Sequence, residues 1–115
     1  MFVTGELHCF VKVLNMTGSG LAELYRLMFS RANLTNLQRL HLTRSNISRV
    51  HSTAFTGLSN LVVLDLSHNL LTTIPSPAFL HTPGLATLRL AGNRFTAVPA
   101  DSFMPLVGLL KLDLR

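Results

Sequence analysis

The residue types needed for nucleophilic hydrolysis occur in one part of the chain, as His41, Asp65 and Ser67. His41 and Asp65 are separated by the period of a repeat described below, so they are expected about 5 Å apart on neighbouring strands. Ser67 follows on the same face, but its hydroxyl must contact the imidazole, and the carboxylate comes between them. An open sheet also offers neither a helix N-terminus nor a glycine turn to hold an oxyanion. The sequence therefore favours a chain that is not an enzyme.

Metal binding and thiol chemistry have equally little support. His41, Asp65 and His68 could supply metal ligands, but their spacing matches no standard zinc motif. The chain has a single cysteine, Cys9, which cannot form an internal disulfide and has no base near it in the sequence. A lone cysteine is usually a small buried hydrophobic residue rather than a nucleophile. The sequence predicts no metal and no cofactor.

The elements that position these residues come from an internal repeat. Leucines at 37, 61, 85 and 109 each follow the previous one by 24 residues. The third unit carries Leu61, Leu64, Leu66, Asn69, Leu71, Ile74, Pro75 and Phe79, and the fourth carries Leu85, Leu88, Leu90, Asn93, Phe95, Val98, Pro99 and Phe103 at the same positions. Self-similarity at a fixed period of this size indicates a stacked repeat architecture.

Each unit predicts the same local structure. Apolar residues at repeat positions 4 and 6 alternate with outward residues, which suits a short strand with one buried face. Pro75 and Pro99 keep the return segment extended and disfavour a long helix there. Phenylalanine recurs at position 19 and is expected to form a buried ladder, each ring contributing about 2 kcal/mol. A single unit cannot bury its apolar face, so neighbouring units must cover it.

The repeat also sets the domain limits. Residues 1–10 do not fit the pattern and are expected to form an irregular N-terminal flank. The repeat domain then spans residues 11–115, with four units and a truncated fifth. The first unit is 26 residues long, and its two extra residues fall between Tyr25 and Asn36, where loops absorb insertions at small cost.

The 24-residue pattern LxxLxLxxNxLxxLPxxxFxxL resembles that of the typical extracellular leucine-rich repeat proteins, which include Toll-like receptor ectodomains, Slit-like guidance proteins and small matrix proteoglycans. The resemblance covers roughly residues 11–115. It implies an α/β fold: a right-handed solenoid, or horseshoe, with a concave parallel β-sheet and an irregular or short-helical convex side. It also implies a concave surface that binds ligands. The cysteine-rich caps common in that family are not found in this sequence.

The resemblance further implies an asparagine ladder at repeat position 9. The side-chain amides of Asn69 and Asn93 are expected to satisfy buried backbone groups at the turn after each strand. Ser19 and Ser45 occupy that position in the first two units. A hydroxyl forms fewer hydrogen bonds than an amide, so those two turns are expected to be looser.

Charged residues are concentrated on one face of the predicted sheet. Ten Lys and Arg against five Asp and Glu give the chain a net charge of +5. The outward positions carry six of the bases and two of the acids, a net of +4, which leaves +1 for the other residues. The bases are Lys12, Arg39, Arg44, Arg89, Lys111 and Arg115, and the acids are Asp65 and Asp113. This charge favours an acidic protein ligand or a sulfated glycan, with a merely solvated face as the alternative.

We predict that ligand contacts come from a charged column at repeat position 5 and its neighbours. The column is His41, Asp65, Arg89 and Asp113, and the flanking residues are Arg39, Arg44, His68 and Lys111. Nucleic-acid binding is disfavoured because no outward position carries an aromatic ring on which bases could stack. The second hypothesis is structural: repeats that space or polymerise neighbouring domains.

Three N-glycosylation sequons favour an extracellular setting. They begin at Asn15, Asn33 and Asn46, the first on the concave face and the other two in loops. No apolar run reaches about 18 residues, so no membrane-spanning segment is predicted. The first residues do not resemble a secretory signal, which leaves a cytoplasmic location as the alternative. We predict a fragment of a receptor ectodomain or of an extracellular matrix protein.

Overall fold

The computed structural model describes residues 10–115, which form a parallel-strand solenoid of about four turns. The predicted flank lies outside the described residues except for Phe10, and so does Cys9. We refer to residues 11–36, 37–60, 61–84 and 85–108 as coils 1 to 4, and to 109–115 as the start of coil 5. In chain order the elements are β1 (Val13–Asn15), β2 (Glu23–Leu24), α1 (Met28–Arg31), β3 (Arg39–His41), β4 (Arg49–Val50), β5 (Val63–Asp65), a 3₁₀ helix (Ser76–His81), β6 (Thr87–Arg89) and β7 (Lys111–Asp113).

One strand from each coil joins a five-stranded parallel sheet in the order β1-β3-β5-β6-β7. The register pairs equivalent repeat positions throughout, so that Leu40 lies beside Leu64 and Leu64 beside Leu88. At the start of each strand, one carbonyl accepts two N–H groups from the next coil, as Val62 does from Ala86 and Thr87. The predicted parallel sheet and its 24-residue register are confirmed.

The core is formed by the leucines of repeat positions 1, 4 and 6 and by the phenylalanines behind them. Leu40, Leu64 and Leu88 are fully buried between their neighbours in the sheet. On the opposite side of the core, Phe29 stacks on Phe55 with ring centroids 6.2 Å apart, and Phe79 stacks on Phe103 at 6.3 Å. The rings form two stacked pairs, so burial and ring contact together stabilise the back of the coils.

The asparagines hold the turn that follows each strand. Asn69 accepts the N–H groups of Ser45 and Ile47 through its Oδ1, and it donates through Nδ2 to the carbonyls of Leu42 and Leu66. Asn93 accepts the N–H of Leu71 and donates to the carbonyls of Leu66 and Leu90. These bonds satisfy backbone groups that the tight turn would otherwise leave buried without partners.

Serine replaces asparagine in the turns of coils 1 and 2. The Ser45 hydroxyl is buried and lies within hydrogen-bond distance of the carbonyls of Met16 and Thr43. It also accepts the N–H of Ser19 at 3.3 Å. The hydroxyl therefore bridges coils 1 and 2, but it receives one backbone N–H where the Asn69 amide receives two.

The side of the solenoid that follows the turns contains a second sheet that the sequence analysis did not predict. In coils 1 and 2, β2 and β4 form a second, two-stranded parallel sheet. The His51 N–H donates to the Leu24 carbonyl there, whereas coils 3 and 4 carry Pro75 and Pro99 at the same repeat position. A proline has no N–H to donate, so the ladder cannot continue in the same way. The convex side carries α1 and the 3₁₀ helix, both short.

The core is incomplete at the C-terminal end of the described coils. Leu112 and Val98 occupy core positions but are 41% and 48% exposed. Both were expected to be buried, and that expectation is wrong for them because no later coil among the described residues covers them. Val107 and Leu110 are exposed at the same end.

Candidate ligand-binding face

The outward residues of the five-stranded sheet, which we call the concave face, form columns along the solenoid. At repeat position 5 the register places Asn15, His41, Asp65, Arg89 and Asp113 side by side. Adjacent parallel strands lie about 4.8 Å apart, so neighbours in this column are within reach of one ligand group. The structure therefore brings His41, Asp65, Arg89 and Asp113 together on one face.

Most cations of the concave face have no acidic partner. Among residues 10–115 the one ion pair joins Arg115 to Asp113, at 3.1 Å. Arg39, Arg44 and Arg89 are exposed, and although Arg89 lies beside Asp65 in the register, the two form no ion pair. The guanidinium groups of these three arginines are therefore exposed to solvent and not neutralised by an ion pair among the described residues.

The acidic side chains of the face are used by their own backbone. Asp65 Oδ1 accepts the Ser67 N–H at 3.0 Å, and Asp113 Oδ1 accepts the Arg115 N–H at 3.1 Å. Asn15 forms the same bond with the Thr17 N–H. These are Asx turns, in which a short polar side chain caps the amide two residues later. Asp65 and Asp113 were predicted as ligand contacts, but one oxygen of each closes the strand end.

The terminal carboxylate is further stabilised by its arginine. Arg115 donates from Nε and Nη2 to the two oxygens of Asp113. Hydrogen bonds from the Arg115 side chain and from its backbone N–H hold the pKa of Asp113 below its ordinary value, and the same carboxylate raises the pKa of Arg115. Asp113 therefore stays ionised, and its charge is paired with that of Arg115.

Residues with a left-handed backbone conformation border the concave face at repeat position 8. Gly18, Arg44, His68 and Gly92 have φ values of 74°, 53°, 58° and 71°. The His68 ring lies against Gly92, so closely that a Cβ at position 92 would overlap it. Gly92 thus provides the space in which the predicted ligand residue His68 places its imidazole, while Arg44 projects from the preceding coil.

The concave face also presents apolar side chains that the charge argument did not include. Repeat position 2 is Val62, Ala86 and Leu110 in the last three coils, and Val62 and Leu110 are exposed. Val13 is exposed in coil 1 as well. The run Leu61-Val62-Val63-Leu64 was the signal for this strip, because a strand with one buried face should alternate rather than remain apolar.

The geometry does not support catalysis or metal binding. His41 and Asp65 are neighbours in the sheet, but the Ser67 side chain is buried and, within the described residues, forms no hydrogen bond to His41. No group of three His, Cys, Asp or Glu side chains among residues 10–115 could hold a metal ion.

The three sequon asparagines are all exposed. Asn33 and Asn46 lie in loops with left-handed backbone, and Asn15 ends β1 on the concave face. The Asn15 Oδ1 accepts the Thr17 hydroxyl at 2.6 Å. None of the helices described in residues 10–115 is long and apolar enough to cross a membrane.

Comparison with known proteins identifies the class. The model of the family described as leucine-rich repeat matches residues 35–95, which is 61 of the 115 residues. The chain belongs to this leucine-rich repeat family, as its sequence pattern indicated. Proteins with this fold typically act as protein–protein interaction modules and are generally not enzymes.

Three solved structures have the same fold as this chain. The leucine-rich repeat domain of APL1B has a TM-score of 0.83 and 27% identity over 90% of this chain, and the chain covers 30% of that one. The structure of the TLR13–ssRNA13 complex has a TM-score of 0.83 and 28% identity over 90% of this chain, and the chain covers 15% of that one. The structure of the LRIM1/APL1C complex has a TM-score of 0.82 and 27% identity over 91% of this chain, and the chain covers 19% of that one. The chain thus spans less than a third of each solved neighbour. Among curated proteins, none has a matching sequence.

Proposed function

We propose that the chain is a non-enzymatic interaction module whose concave face binds an acidic surface of a protein ligand. The observation that carries the proposal is the set of exposed arginines, Arg39, Arg44 and Arg89, that have no acidic partner among the described residues. Solvent-exposed cations on one face attract an acidic partner and orient it during association. The similarity to the LRIM1/APL1C complex, a complex between two proteins, supports a protein ligand.

The exposed apolar residues at repeat position 2, Val62 and Leu110, add an apolar contact to this face. Val62 and Leu110 are exposed, and the exposed Lys111 directly follows Leu110, so an apolar ligand side chain can be buried next to a cationic group. Interfaces draw most of their binding energy from a few such desolvated contacts, surrounded by a polar rim. Charge then selects the partner and the strip retains it.

The test compares two double reversals that change the net charge equally. Arg39→Glu with Arg89→Glu alters the concave face, and Arg31→Glu with Arg94→Glu alters exposed arginines outside it. Binding of fluorescently labelled poly-glutamate is measured by anisotropy at low and high salt. We expect the first variant to lose at least tenfold in affinity and the second to stay close to the parent. Binding should also weaken with salt, because exposed charges are screened.

The same assay separates the alternatives. A heparin fragment and a single-stranded RNA serve as competing probes, the latter because TLR13 was solved with ssRNA13. Tighter binding of heparin, lost in the Arg39/Arg89 variant, would assign the face to a sulfated glycan. Tighter binding of RNA would assign it to nucleic acid. Equal losses in both double variants would contradict a localised site.

A structural role is the second candidate, because the last coil exposes an apolar end. Val107 is 90% exposed and Leu110 is 84% exposed, and β7 has a neighbour on one side only among the described strands. Such an end can stack on another coil and produce open assemblies. Sedimentation velocity across a concentration series tests this: mass that rises with concentration supports stacking, and constant monomer mass contradicts it.

We also propose an extracellular or ectodomain location. Three exposed sequon asparagines support it, and glycosylation of Asn33 and Asn46 would leave the concave face open. Secretion of the chain from a eukaryotic cell behind a heterologous signal, followed by glycosidase digestion and mass spectrometry, tests the proposal. Unmodified Asn33 and Asn46 in the secreted protein would contradict it.

A further inference from the structure

One of the three sequon asparagines occupies a different place in the fold from the other two. Asn15 ends β1 at repeat position 5, beside His41, in the column of the concave face that carries the charged residues. Asn33 and Asn46 lie in loops outside the five-stranded sheet. A group attached to Asn15 therefore meets the concave face, whereas groups attached to the other two asparagines start outside it.

The Asn15 side chain is held through its amide oxygen. Oδ1 accepts the Thr17 N–H at 3.0 Å and the Thr17 hydroxyl at 2.6 Å. Because the single hydroxyl proton of Thr17 is used in this bond, the Thr43 hydroxyl must be the donor in the 2.9 Å contact between the two threonines. These bonds link the end of β1 to the segment after β3 and keep the Asn15 amide in place.

The amide nitrogen of Asn15 differs from that of the turn asparagines. Asn15 is exposed, and among residues 10–115 its Nδ2 donates no hydrogen bond. Asn69 is buried, and its Nδ2 donates to the carbonyls of Leu42 and Leu66. A substituent on Nδ2 would therefore break buried hydrogen bonds at Asn69 but none of those described at Asn15. Such a substituent leaves the amide oxygen unchanged, so the Asx turn that ends β1 can persist.

A large group on Asn15 would lie close to the residues proposed to contact the ligand. The spacing of parallel strands places Asn15 about 5 Å from His41 and about 14 Å from Arg89 along the column. Arg39 is paired in register with Val13, on the strand that Asn15 ends. An N-linked glycan is bulky and hydrophilic. It would therefore restrict the access of a protein ligand to the concave face of coils 1 and 2.

We propose that Asn15 carries an N-linked glycan that covers the concave face of coils 1 and 2 and weakens the binding of an acidic protein ligand there. The inference rests on the proposed function of that face and on the proposed extracellular location. In the transfer, Nδ2 of Asn15 forms a bond to the anomeric carbon of a lipid-linked oligosaccharide diphosphate. The bond between that carbon and the diphosphate oxygen breaks, the lipid diphosphate leaves, and Nδ2 loses one proton. The extent of modification at Asn15 then sets the fraction of molecules that bind ligand tightly.

The first measurement is the occupancy of Asn15 in the whole chain, secreted from a eukaryotic cell behind a heterologous signal. An amidase that releases N-glycans converts each modified asparagine to aspartate, which peptide mass spectrometry detects. We expect most secreted molecules to be modified at Asn15. Unmodified Asn15 in protein that is modified at Asn33 and Asn46 would overturn the present proposal and leave the proposed location standing. Absence of glycan from all three asparagines would overturn both.

Two secreted variants then separate the effect of this glycan from that of the other two. Asn15→Gln lacks the glycan on the concave face, and Asn33→Gln with Asn46→Gln lacks the glycans in the loops. The probe is the fluorescently labelled poly-glutamate, measured by anisotropy. We expect Asn15→Gln to bind about tenfold or more tightly than the secreted parent, because contacts on coils 1 and 2 become accessible. The double variant should bind as weakly as the parent. Equal affinities of Asn15→Gln and a parent modified at Asn15 would overturn the proposal.

Protein made in bacteria, which lacks the glycans, provides the control for the substitution itself. The ratio of affinities between Asn15→Gln and the parent made there gives the effect of the side chain alone, and the ratio in the secreted pair must exceed it.

Failure of the unglycosylated parent to bind poly-glutamate would contradict the proposed function, and the position of the glycan is then decided by NMR. In the secreted double variant of Asn33 and Asn46, the glycan on Asn15 is trimmed to its first sugar by an endoglycosidase. Trimming should shift the imidazole signals of His41, beside Asn15 in the sheet, and not those of His81, in the 3₁₀ helix. Unmoved His41 signals would overturn the placement of the glycan over the concave face.

Discussion

The centre of the solenoid and its C-terminal end contain the same residues at the same repeat positions, but in different environments. Leu64 and Leu112 both occupy position 4 of the strand, yet Leu64 is fully buried and Leu112 is 41% exposed. Asn69 and Asn93 likewise share position 9, but Asn69 is more deeply buried. A residue in a repeat array is therefore stabilised mainly by the coil on either side of it, and nearest-neighbour contacts decide its contribution.

The largest difference is expected for the leucines. Leu64→Ala removes a side chain that is enclosed on all sides and should lower the free energy of unfolding by about 3–5 kcal/mol. Leu112→Ala removes a half-solvated side chain and should cost less than about 1 kcal/mol. Urea unfolding followed by circular dichroism measures both.

The pair is informative even if Leu64→Ala does not fold, because Leu64→Val retains most of the contact and should cost about 1 kcal/mol. Similar losses for Leu64→Ala and Leu112→Ala would contradict the claim that the flanking coils, rather than the repeat sequence, determine stability.

The turn asparagines should show the same contrast at smaller size. Asn69→Ala would leave the N–H groups of Ser45 and Ile47 buried without their acceptor, at a cost of about 3 kcal/mol. Asn93→Ala frees one such N–H, that of Leu71, and should cost about 1–2 kcal/mol.

Hydrogen exchange of these amides provides the readout beside urea unfolding. In Asn69→Ala, exchange at Ser45 and Ile47 should accelerate well beyond the global change. Asn69→Ser, which copies the turn of coil 2, is the matched control and should recover part of the stability. A serine variant no more stable than the alanine variant would show that the hydroxyl cannot replace the amide.

These contrasts also show which features the sequence could predict. The period and the leucine positions were sufficient to predict the sheet, its register and the buried Leu40, Leu64 and Leu88, because stacking allows one arrangement of equal units. The two-stranded sheet β2–β4 was not predicted, although the replacement of proline by Tyr25 and His51 in coils 1 and 2 was visible. Whether Tyr25 and His51 allow a second sheet depends on the distance between coils 1 and 2, which the sequence does not give.

The candidate face was predictable in position but less so in detail. The register placed His41, Asp65 and Arg89 in one column, as the period required. The sequence could not show that Asp65 would bond to its own backbone rather than to Arg89. Two hydrogen-bonding options of comparable energy compete there, and the strand end, whose amide needs an acceptor, decides between them.

The glycines at position 8 offer a smaller test of the same contrast. Gly18 and Gly92 both have positive φ, so alanine costs each of them about 1 kcal/mol of backbone strain. An added Cβ meets nothing at Gly18 but overlaps the His68 ring at Gly92. Because His68 is exposed and can rotate away, we expect the extra cost at Gly92 to be below about 1 kcal/mol.

The NMR signals of His68 distinguish these two variants more sharply than stability does. Gly92→Ala should shift the imidazole resonances as the ring leaves its position, and Gly18→Ala should leave them unchanged. Unmoved His68 signals in Gly92→Ala would show that the ring does not occupy the space above the glycine.

The smallest effect is expected at the two aspartates that cap strand ends, Asp65 in the centre and Asp113 at the exposed end. The pKa of Asp113 is lowered by its bonds to Arg115, so the stabilisation they provide is present above the ordinary aspartate pKa and is lost as pH falls through the lowered value. Carboxyl carbon shifts followed by NMR should show the pKa of Asp113 returning towards its ordinary value in Arg115→Ala. The free energy of unfolding at neutral pH should barely change, because the pair lies at the surface and the Arg115 side chain is exposed. A clear loss of stability in Arg115→Ala would mean that the exposed end is ordered by its charges, and the nearest-neighbour account of the solenoid would then need an electrostatic contribution at its boundary.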